Sequence, residues 1–371
     1  MNRVNCVVCN STELQELYKI PNFPICISSS NEPFTSDEYK DLVFNTCDYC
    51  GCVQLKDLID IKLLYQNNHN NTAETPTWKK HHQDFSTFVI ESFKGNEIVE
   101  IGGSSGTLAK NIIQSKPDIS YILIDLCDLD IDIPGVKFIQ ANCEDYVYNS
   151  NSSVVMSHIF EHLYNPYDFI KKLKNNNVKS VIISVPDMNA WLDKKYLSFL
   201  HVEHTFYCDK ETIIRIFYQC GYMCNEIKYF DNHSIFMSFL LNNRLESQVL
   251  EKSIVSLKLK SYFELRENIL KNIVLTKKTF IVPAGHFGQL IYYFLKDKEN
   301  IIGFLDNDTS KCGKRVYGTI HNVYHMTDII KYNDTDVDIL IHAGPYTNEI
   351  KKQLLTYHSK LQFIEIVLHY V

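Results

Sequence analysis

Three groups of residues in this chain have the types and spacing to do chemistry. Cys6 and Cys9 in CVVC, and Cys47 and Cys50 in CDYC, are two C-x2-C pairs. In a reducing compartment such pairs read as metal ligands rather than disulfides, and two of them close a tetrahedral four-thiolate zinc site. Four thiolates leave no position for water, so the zinc is structural. It stabilises a segment with too few apolar residues for a core of its own, and Gly51 relieves the turn after the second pair. The alternative is unligated thiols; Cys26 and Cys52 stand outside the pattern. The second group lies in NEIVEIGGSSGTLAKNII, where Glu100, Gly102, Gly103 and Gly106 join an apolar strand to a helical pattern. Glycines there let the backbone approach a ligand closely at a helix N-terminus. The spacing differs from the dinucleotide G-x-G-x2-G and lacks the P-loop lysine. Asp125, which closes the strand ISYILIDL, places a carboxylate where it can take both hydroxyls of a ribose. The third group is HVEH, His201 to His204. An ordinary imidazole pKa of about 6.5 suits proton transfer at neutral pH, and Glu203 can hold the ring or stabilise its charged form. Zinc bound by the pair, or a plain loop of solvated histidines, are the competing readings. His158 and His162 in SHIFEHL, four apart, point to one helix face, with His158 near the ligand and His162 packed; no matching carboxylate set argues for metal there.

The elements that must position these groups alternate strand and helix. After Asp125 come VKFIQANCEDY, SSVVMSHIFEHL running from strand into helix, and VKSVIISVP. Alternation implies a parallel sheet covered on both faces, with its ligand at the carboxyl ends of the strands. Residues from about 245 to 275 carry amphipathic helical patterning, and KKTFIVPAGHFGQLIYYFLKDKENIIGFLDND then repeats the strand-loop-helix-strand logic. Gly285 and Gly288 there read as close helix packing rather than a dinucleotide loop. The expected architecture is α/β in three parts: a zinc-binding domain over 1–65, a Rossmann-like core over 66–244, and a helical linker with a second Rossmann-like domain over 245–371.

Composition narrows the partners. A chain of 371 residues with 45% hydrophobic and 22% charged residues is a folded protein of more than one domain. A net charge of -7 argues against general nucleic-acid binding, which needs clustered Lys and Arg. No apolar run reaches the roughly 18 residues of a membrane span, and MNRVNCVVCN lacks the apolar stretch of a secretory signal, so the expected location is the cytoplasm, without a membrane partner. The expected state is a monomer or homodimer.

VEIGGSSGTL with Asp125, and VVMSHIFEHLYNPYDFI, resemble the S-adenosylmethionine site of class I methyltransferases. The resemblance implies that Gly102 and Gly106 pass the methionine part of the cofactor, that Asp125 holds the ribose, and that Asn142 or Glu144 lies near the adenine. The order of cysteine knuckle, methyltransferase core and Rossmann-like tail resembles a family of sugar C-methyltransferases acting on nucleotide-linked keto-deoxysugars. Further matches are VQLKDLIDIKLLY, TPTWKKHHQDF and GFLDNDTSKCGKRVYGT. By this resemblance His204 is the base that removes the proton beside the ketone, with Glu203 and His201 in the same segment and Trp78 and His233 on the substrate side. Three positions depart from the family's pattern: His201 stands in place of a tyrosine, Asn70 or Asn71 in place of another, and His233 lacks the two glycines that follow in the family. These departures open a second reading, O-methylation of a sugar hydroxyl. Other classes are a cofactor-binding scaffold without catalysis and a nicotinamide-dependent oxidoreductase using the tail domain.

Overall fold

A computed structural model describes residues 2–27, 29–65, 76–194, 200–242, 250–332 and 336–366. Two compact units emerge, each assembled from separate stretches: Met1–Leu17, Val43–Asp193 and Glu203–Ser256 in the first, and Tyr18–Leu42, Lys194–Val202 and Leu257–Val371 in the second. Asn70 and Asn71 lie outside the described residues.

The first unit is built on a seven-stranded sheet in the order Tyr222–Phe230, Ser234–Leu241, Ser180–Pro186, Ser152–Ser157, Glu97–Ile101, Ser120–Asp125, Val136–Gln140. The last five of these run parallel, and the first two form an antiparallel hairpin at one edge. Parallel strands need helical crossovers, which cover both faces and make the strands apolar on both sides. Consecutive residues accordingly serve opposite cores. Ile98, Leu123, Val155 and Ile182 pack with Phe85, Phe88 and Val89 of the helix Pro76–Ser92 and with Leu108 and Ile112 of the helix Thr107–Ser115. Val99, Val154, Val181 and Ile183 face Phe169 and Leu173 of the helix Pro166–Asn175, and Ile213 and Phe217 of Lys210–Gln219. Cys6, Val8, Cys47, Cys50 and Cys52 belong to this second core together with Phe160 and Phe206. The cysteine segment is thus part of the first unit, because its apolar side chains bury against that core instead of forming their own.

The second unit holds a five-stranded parallel sheet in the order Val323–His325, Ile301–Asp306, Lys278–Val282, Val337–Ile341, Gln362–Glu365. The α/β class with two Rossmann-like sheets, expected from sequence, is what the chain adopts. Residues 18–42 join this unit by specific pairing: Ser29–Ser30 runs antiparallel to Arg315–Val316, and the Arg315 guanidinium makes two 2.6 Å bonds to the buried Asp37 carboxylate. A bidentate pair of this kind is geometrically exacting, so it fixes where the segment sits.

The two glycines of PAGHFG separate in role. A Cβ on Gly288 would meet the Pro283 carbonyl oxygen at 2.2 Å and the Phe304 ring at 3.1 Å, whereas the one neighbour of a Cβ on Gly285 is Lys311 Nζ at 3.8 Å. Gly288→Ala should therefore lower the unfolding stability by about 1–3 kcal/mol through overpacking, and Gly285→Ala by clearly less. Urea unfolding of the two variants against the parent checks the ranking; equal losses would contradict it.

Candidate active site

The four cysteines of the two pairs converge. Cys6 Sγ lies 3.5 Å from Cys50 Sγ and Cys9 Sγ lies 3.6 Å from Cys47 Sγ, and all four sulfurs fall within 4.8 Å of one another. Tetrahedral zinc with Zn–S bonds of about 2.3 Å sets sulfurs about 3.8 Å apart, so the donor set fits the ion. Cys26 and Cys52 are not in the group. The second knuckle turns through Gly51, at φ +78, where a Cβ would strike the Ser253 carbonyl oxygen at 2.1 Å.

The strand that leaves this knuckle, Val53–Leu55, carries on one side Phe44 to Thr46 and on the other Phe206 and Tyr207, which directly follow the Glu203–His204–Thr205 segment. Thr205 is held from three directions. Its carbonyl accepts from Leu55 N at 2.9 Å, its N–H donates to the Glu161 carbonyl at 3.0 Å, and its hydroxyl accepts from Arg3 Nη2 at 3.0 Å. Arg3 Nη2 also donates to the Tyr164 carbonyl at 2.7 Å.

The glycine loop follows Glu97–Ile101. Gly102 and Gly106 adopt φ +72 and +70, and a Cβ on Gly102 would meet Ile159 at 2.2 Å, on Gly103 Leu123 at 2.5 Å, on Gly106 Ile133 at 2.5 Å. A Cβ at any of the three would have to displace an aliphatic side chain, and the left-handed backbone at Gly102 and Gly106 favours glycine, which lets the backbone face a ligand. The Ser104 N–H points to Asp125 Oδ2 at 3.4 Å, and Asp125 Oδ1 accepts from Cys127 N at 2.9 Å. Burial pushes the Asp125 carboxyl up while these backbone N–H groups pull it down. Glu100 sits underneath the loop, buried, and accepts from the Tyr121 hydroxyl at 2.7 Å; burial pushes it up to about 7 against that hydrogen bond. Asn142 Oδ1 accepts from Glu144 N at 2.9 Å. The Glu144 carboxylate is committed elsewhere, accepting from Tyr164 N at 2.6 Å, Asn165 N at 3.1 Å and Asn165 Nδ2 at 3.0 Å.

At the carboxyl ends of Ser152–Ser157 and Ser180–Pro186 lies a cluster of rings. The Trp78 ring centroid is 4.9 Å from His158, 5.0 Å from His81 and 5.0 Å from His233, and Trp191 is 5.8 Å from His233. His158 and His233 share the Ser234 hydroxyl at 2.8 and 2.7 Å, and His81 meets the Ser184 hydroxyl at 2.8 Å. Burial drives His81 down to about 2, His233 down to about 4 and His158 well below its usual range, so all three are neutral at pH 7.

Sequence spacing placed His158 and His162 on one helix face, and that is corrected. His158 has φ +54 and Phe160–His162 is a 3-10 turn, and the two rings take different partners. His162 Nδ1 lies 3.1 Å from the Tyr65 hydroxyl and 3.4 Å from Glu203 Oε2, and Tyr65 also reaches Glu203 Oε2 at 3.4 Å. Burial opposes a charge on His162, but the hydrogen bond to Glu203 and the nearby Glu161 outweigh it and hold its pKa above the usual value. The His204 ring lies 5.1 Å from the His162 ring and 5.9 Å from Tyr207, and is buried with Glu203. His201 belongs to the second unit, where its ring lies 4.4 Å from that of His286.

Sequence reasoning missed Glu161, Tyr65, His81 and Trp191. A signal existed for His81: Trp78, His81 and Phe85 repeat at helical spacing within Pro76–Ser92. Glu161 was adjacent to a histidine already singled out, and its pairing became legible only once the helix gave way to a tighter turn.

No protein-family model matches the chain, and no curated protein matches it. Solved structures do. Magnesium protoporphyrin IX methyltransferase from Synechocystis, with bound SAH, is 12% identical and covers 47% of this chain and 90% of its own, with a TM-score of 0.36. The 1,6-didemethyltoxoflavin-N1-methyltransferase of Burkholderia thailandensis, with bound S-adenosylhomocysteine, is 7% identical over 44% of this chain and 78% of its own, with a TM-score of 0.34. Among the described residues no helix is long and apolar enough to cross a membrane.

Because the Val53–Leu55 strand ties the cysteine knuckle to Thr205, metal loss should be felt at the histidines. Elemental analysis should give about one zinc per chain. Chelation, or Cys47→Ser, should speed amide hydrogen exchange in residues 203–208 by about tenfold or more, equivalent to about 1.4 kcal/mol of local stability. Full protection of that segment in zinc-free protein would refute the coupling.

Proposed function

We propose that the chain is an S-adenosylmethionine-dependent methyltransferase that methylates a nucleotide-linked keto-deoxysugar on the carbon beside its ketone. The observation that carries the reading is a single juxtaposition: a cradle of three glycines that excludes side chains, ending at Asp125, on the same sheet edge as a buried histidine and carboxylate cluster. When bound, S-adenosylmethionine supplies an electrophilic methyl group. Gly102, Gly103 and Gly106 let the backbone approach its chain, and Asp125 accepts hydrogen bonds from both ribose hydroxyls. Asn142, at the end of the neighbouring strand, faces the base, while Glu144 shapes that loop through Tyr164 and Asn165. Glu100 supports the loop from below through Tyr121.

His204 takes the proton from the carbon next to the ketone, leaving its electron pair on the substrate as an enolate. That carbon's electron pair is what would take the methyl group that bound S-adenosylmethionine would supply, with S-adenosylhomocysteine as the leaving group. Glu203 orients the pair of imidazoles through His162 and Tyr65. Trp78 and His233 offer a ring face and a neutral imidazole to the sugar, and neutrality there avoids a second charge beside the developing enolate. His201, in the second unit, is given no step.

Incubation of the protein and cofactor with dTDP-, GDP- and UDP-linked ketosugars, read by mass spectrometry and NMR, tests the reading; no methylated product from any of them would leave a cofactor-binding scaffold. With S-adenosylhomocysteine and substrate in heavy water, deuterium should enter the carbon beside the carbonyl, and His204→Ala should abolish the exchange. A methyl found on oxygen, without exchange, would convert the assignment to O-methylation.

Two variants separate binding from chemistry. Asp125→Ala should weaken S-adenosylmethionine by about 1.5 to 3 kcal/mol, roughly tenfold or more. His204→Ala should leave that affinity unchanged and lower kcat by about 100-fold or more. Wild-type turnover in His204→Ala would remove the base from this segment.

A further inference from the structure

Glu161 is the buried group that this mechanism leaves without a role. Its side chain is fully buried, and among the described residues no neighbouring residue's donor meets either carboxylate oxygen in hydrogen-bond geometry; its own backbone N–H and His162 pull its pKa down against burial. His158 Nδ1 lies 3.6 Å from Oε1, beyond hydrogen-bond distance. A carboxylate oxygen of Glu161 and one ring nitrogen each of His162 and His204 fall within 4.8 Å of one another. The Glu161 backbone is tied to the same loop, since its carbonyl accepts from Thr205 N at 3.0 Å.

A buried carboxylate with no donor is among the costliest groups a protein can hold, unless a cation stands beside it. The surroundings decide which cation. His158 is pressed to neutrality by burial and by the rings of His81 and His233. His162 directs Nδ1 to Tyr65 and to Glu203, the second carboxylate of the cluster. The Cys208 thiol, also facing Glu161, is pushed up by burial and stays protonated. Within the set, His204 is the imidazole whose charge changes during turnover.

We propose that Glu161 is a positioning residue for proton transfer: its buried carboxylate is the counter-charge for the imidazolium that His204 becomes on accepting the substrate proton. The proposal rests on His204 being the base. The proton moves from substrate carbon to His204 nitrogen, the electron pair stays on the substrate, and Glu161 neither gains nor loses a bond; it lowers the cost of the charge on the ring. Burial lifts Glu161 to about 7 against a downward pull from His162 and from its own backbone N–H, so a further imidazolium beside it lowers the cost of its charge.

The test begins without substrate. NMR titration of the imidazole resonances should show His204 losing at least about one pH unit of basicity in Glu161→Gln, a tenfold fall in proton affinity. In the unmodified protein, the Glu161 carboxyl resonance should shift over the same pH range as His204, as expected of coupled sites. With substrate, Glu161→Gln should lower kcat by about 10- to 100-fold with KM little changed, and move the acid limb of the pH profile to lower pH by the same interval. An unchanged His204 titration in folded Glu161→Gln would overturn the proposal. If that variant does not fold, the unmodified protein decides: His204 titrating with no response at the Glu161 carboxyl would overturn it equally. So would a divalent ion, additional to that of the four thiolates, bound by the unmodified protein and lost in Glu161→Gln, since the carboxylate would then be a ligand. A shifted His204 titration without methyl transfer to any nucleotide sugar would support the pairing while sinking the substrate reading.

Discussion

The arrangement of this protein's candidate chemistry depends on how Thr205 is held. A segment carrying a buried carboxylate and a buried imidazole has no reason to stay in place by itself; both groups gain hydration by swinging out. Here the next residue is fixed through backbone and side chain at once, to Leu55 of the strand behind the cysteine knuckle, to the Glu161 carbonyl and to Arg3. Arg3 carries the same logic further. Burial lowers its pKa to about 10, yet it remains charged at pH 7 and its guanidinium bridges Thr205 and Tyr164. The N-terminal segment therefore acts as a brace for the histidine loop. Its strand Val53–Leu55 and its Arg3 are the parts that touch, and that strand directly follows the second cysteine pair, whose sulfurs lie beside those of the first.

A rigid brace matters because the site combines groups that want different surroundings. His81, His158 and His233 are kept neutral by burial beside the rings of Trp78 and Trp191, while His162 is drawn toward charge by Glu203. A few ångströms separate these regimes. Were the loop to shift, the polar side of the cluster would meet the ring side and the distinction between neutral and chargeable imidazoles would collapse. Fixed dipoles and charges aimed at developing charge lower a barrier only when they need not reorganise during the reaction.

The legible parts of the sequence were those whose chemistry is local. Gly102 and Gly106 announced themselves because left-handed backbone at a strand-to-helix turn excludes side chains, and the two cysteine pairs because close spacing makes knuckles. Gly285 and Gly288 looked equivalent, but the difference between them is the Pro283 carbonyl oxygen, which a Cβ on Gly288 would meet and a Cβ on Gly285 would not. The illegible parts depended on distant partners. Residues 18–42 read as a continuation of the cysteine domain, whereas Arg315 with the strand Arg315–Val316, Gln289 through the Cys26 carbonyl and Gly318 through Asp37 pair them within the second unit. The pairing of His162 with Tyr65 and Glu203 was hidden for another reason: an assumed helix put His162 on one face with His158, whereas a left-handed His158 and a 3-10 turn replace that helix.

Two buried carboxylates, Glu100 and Glu161, show why burial alone does not identify a functional acid. Burial lifts both to about 7. Glu100 keeps a hydrogen bond from the Tyr121 hydroxyl, so either protonation state has a partner and the group can serve as a support beneath the glycine loop. Among the described residues Glu161 has no such bond from a neighbouring side chain, and one ring nitrogen each of His162 and His204 lies within 4.8 Å of a carboxylate oxygen. A buried carboxylate without such a donor gains most from an imidazolium beside it, and that is the difference that sets Glu161 apart from Glu100.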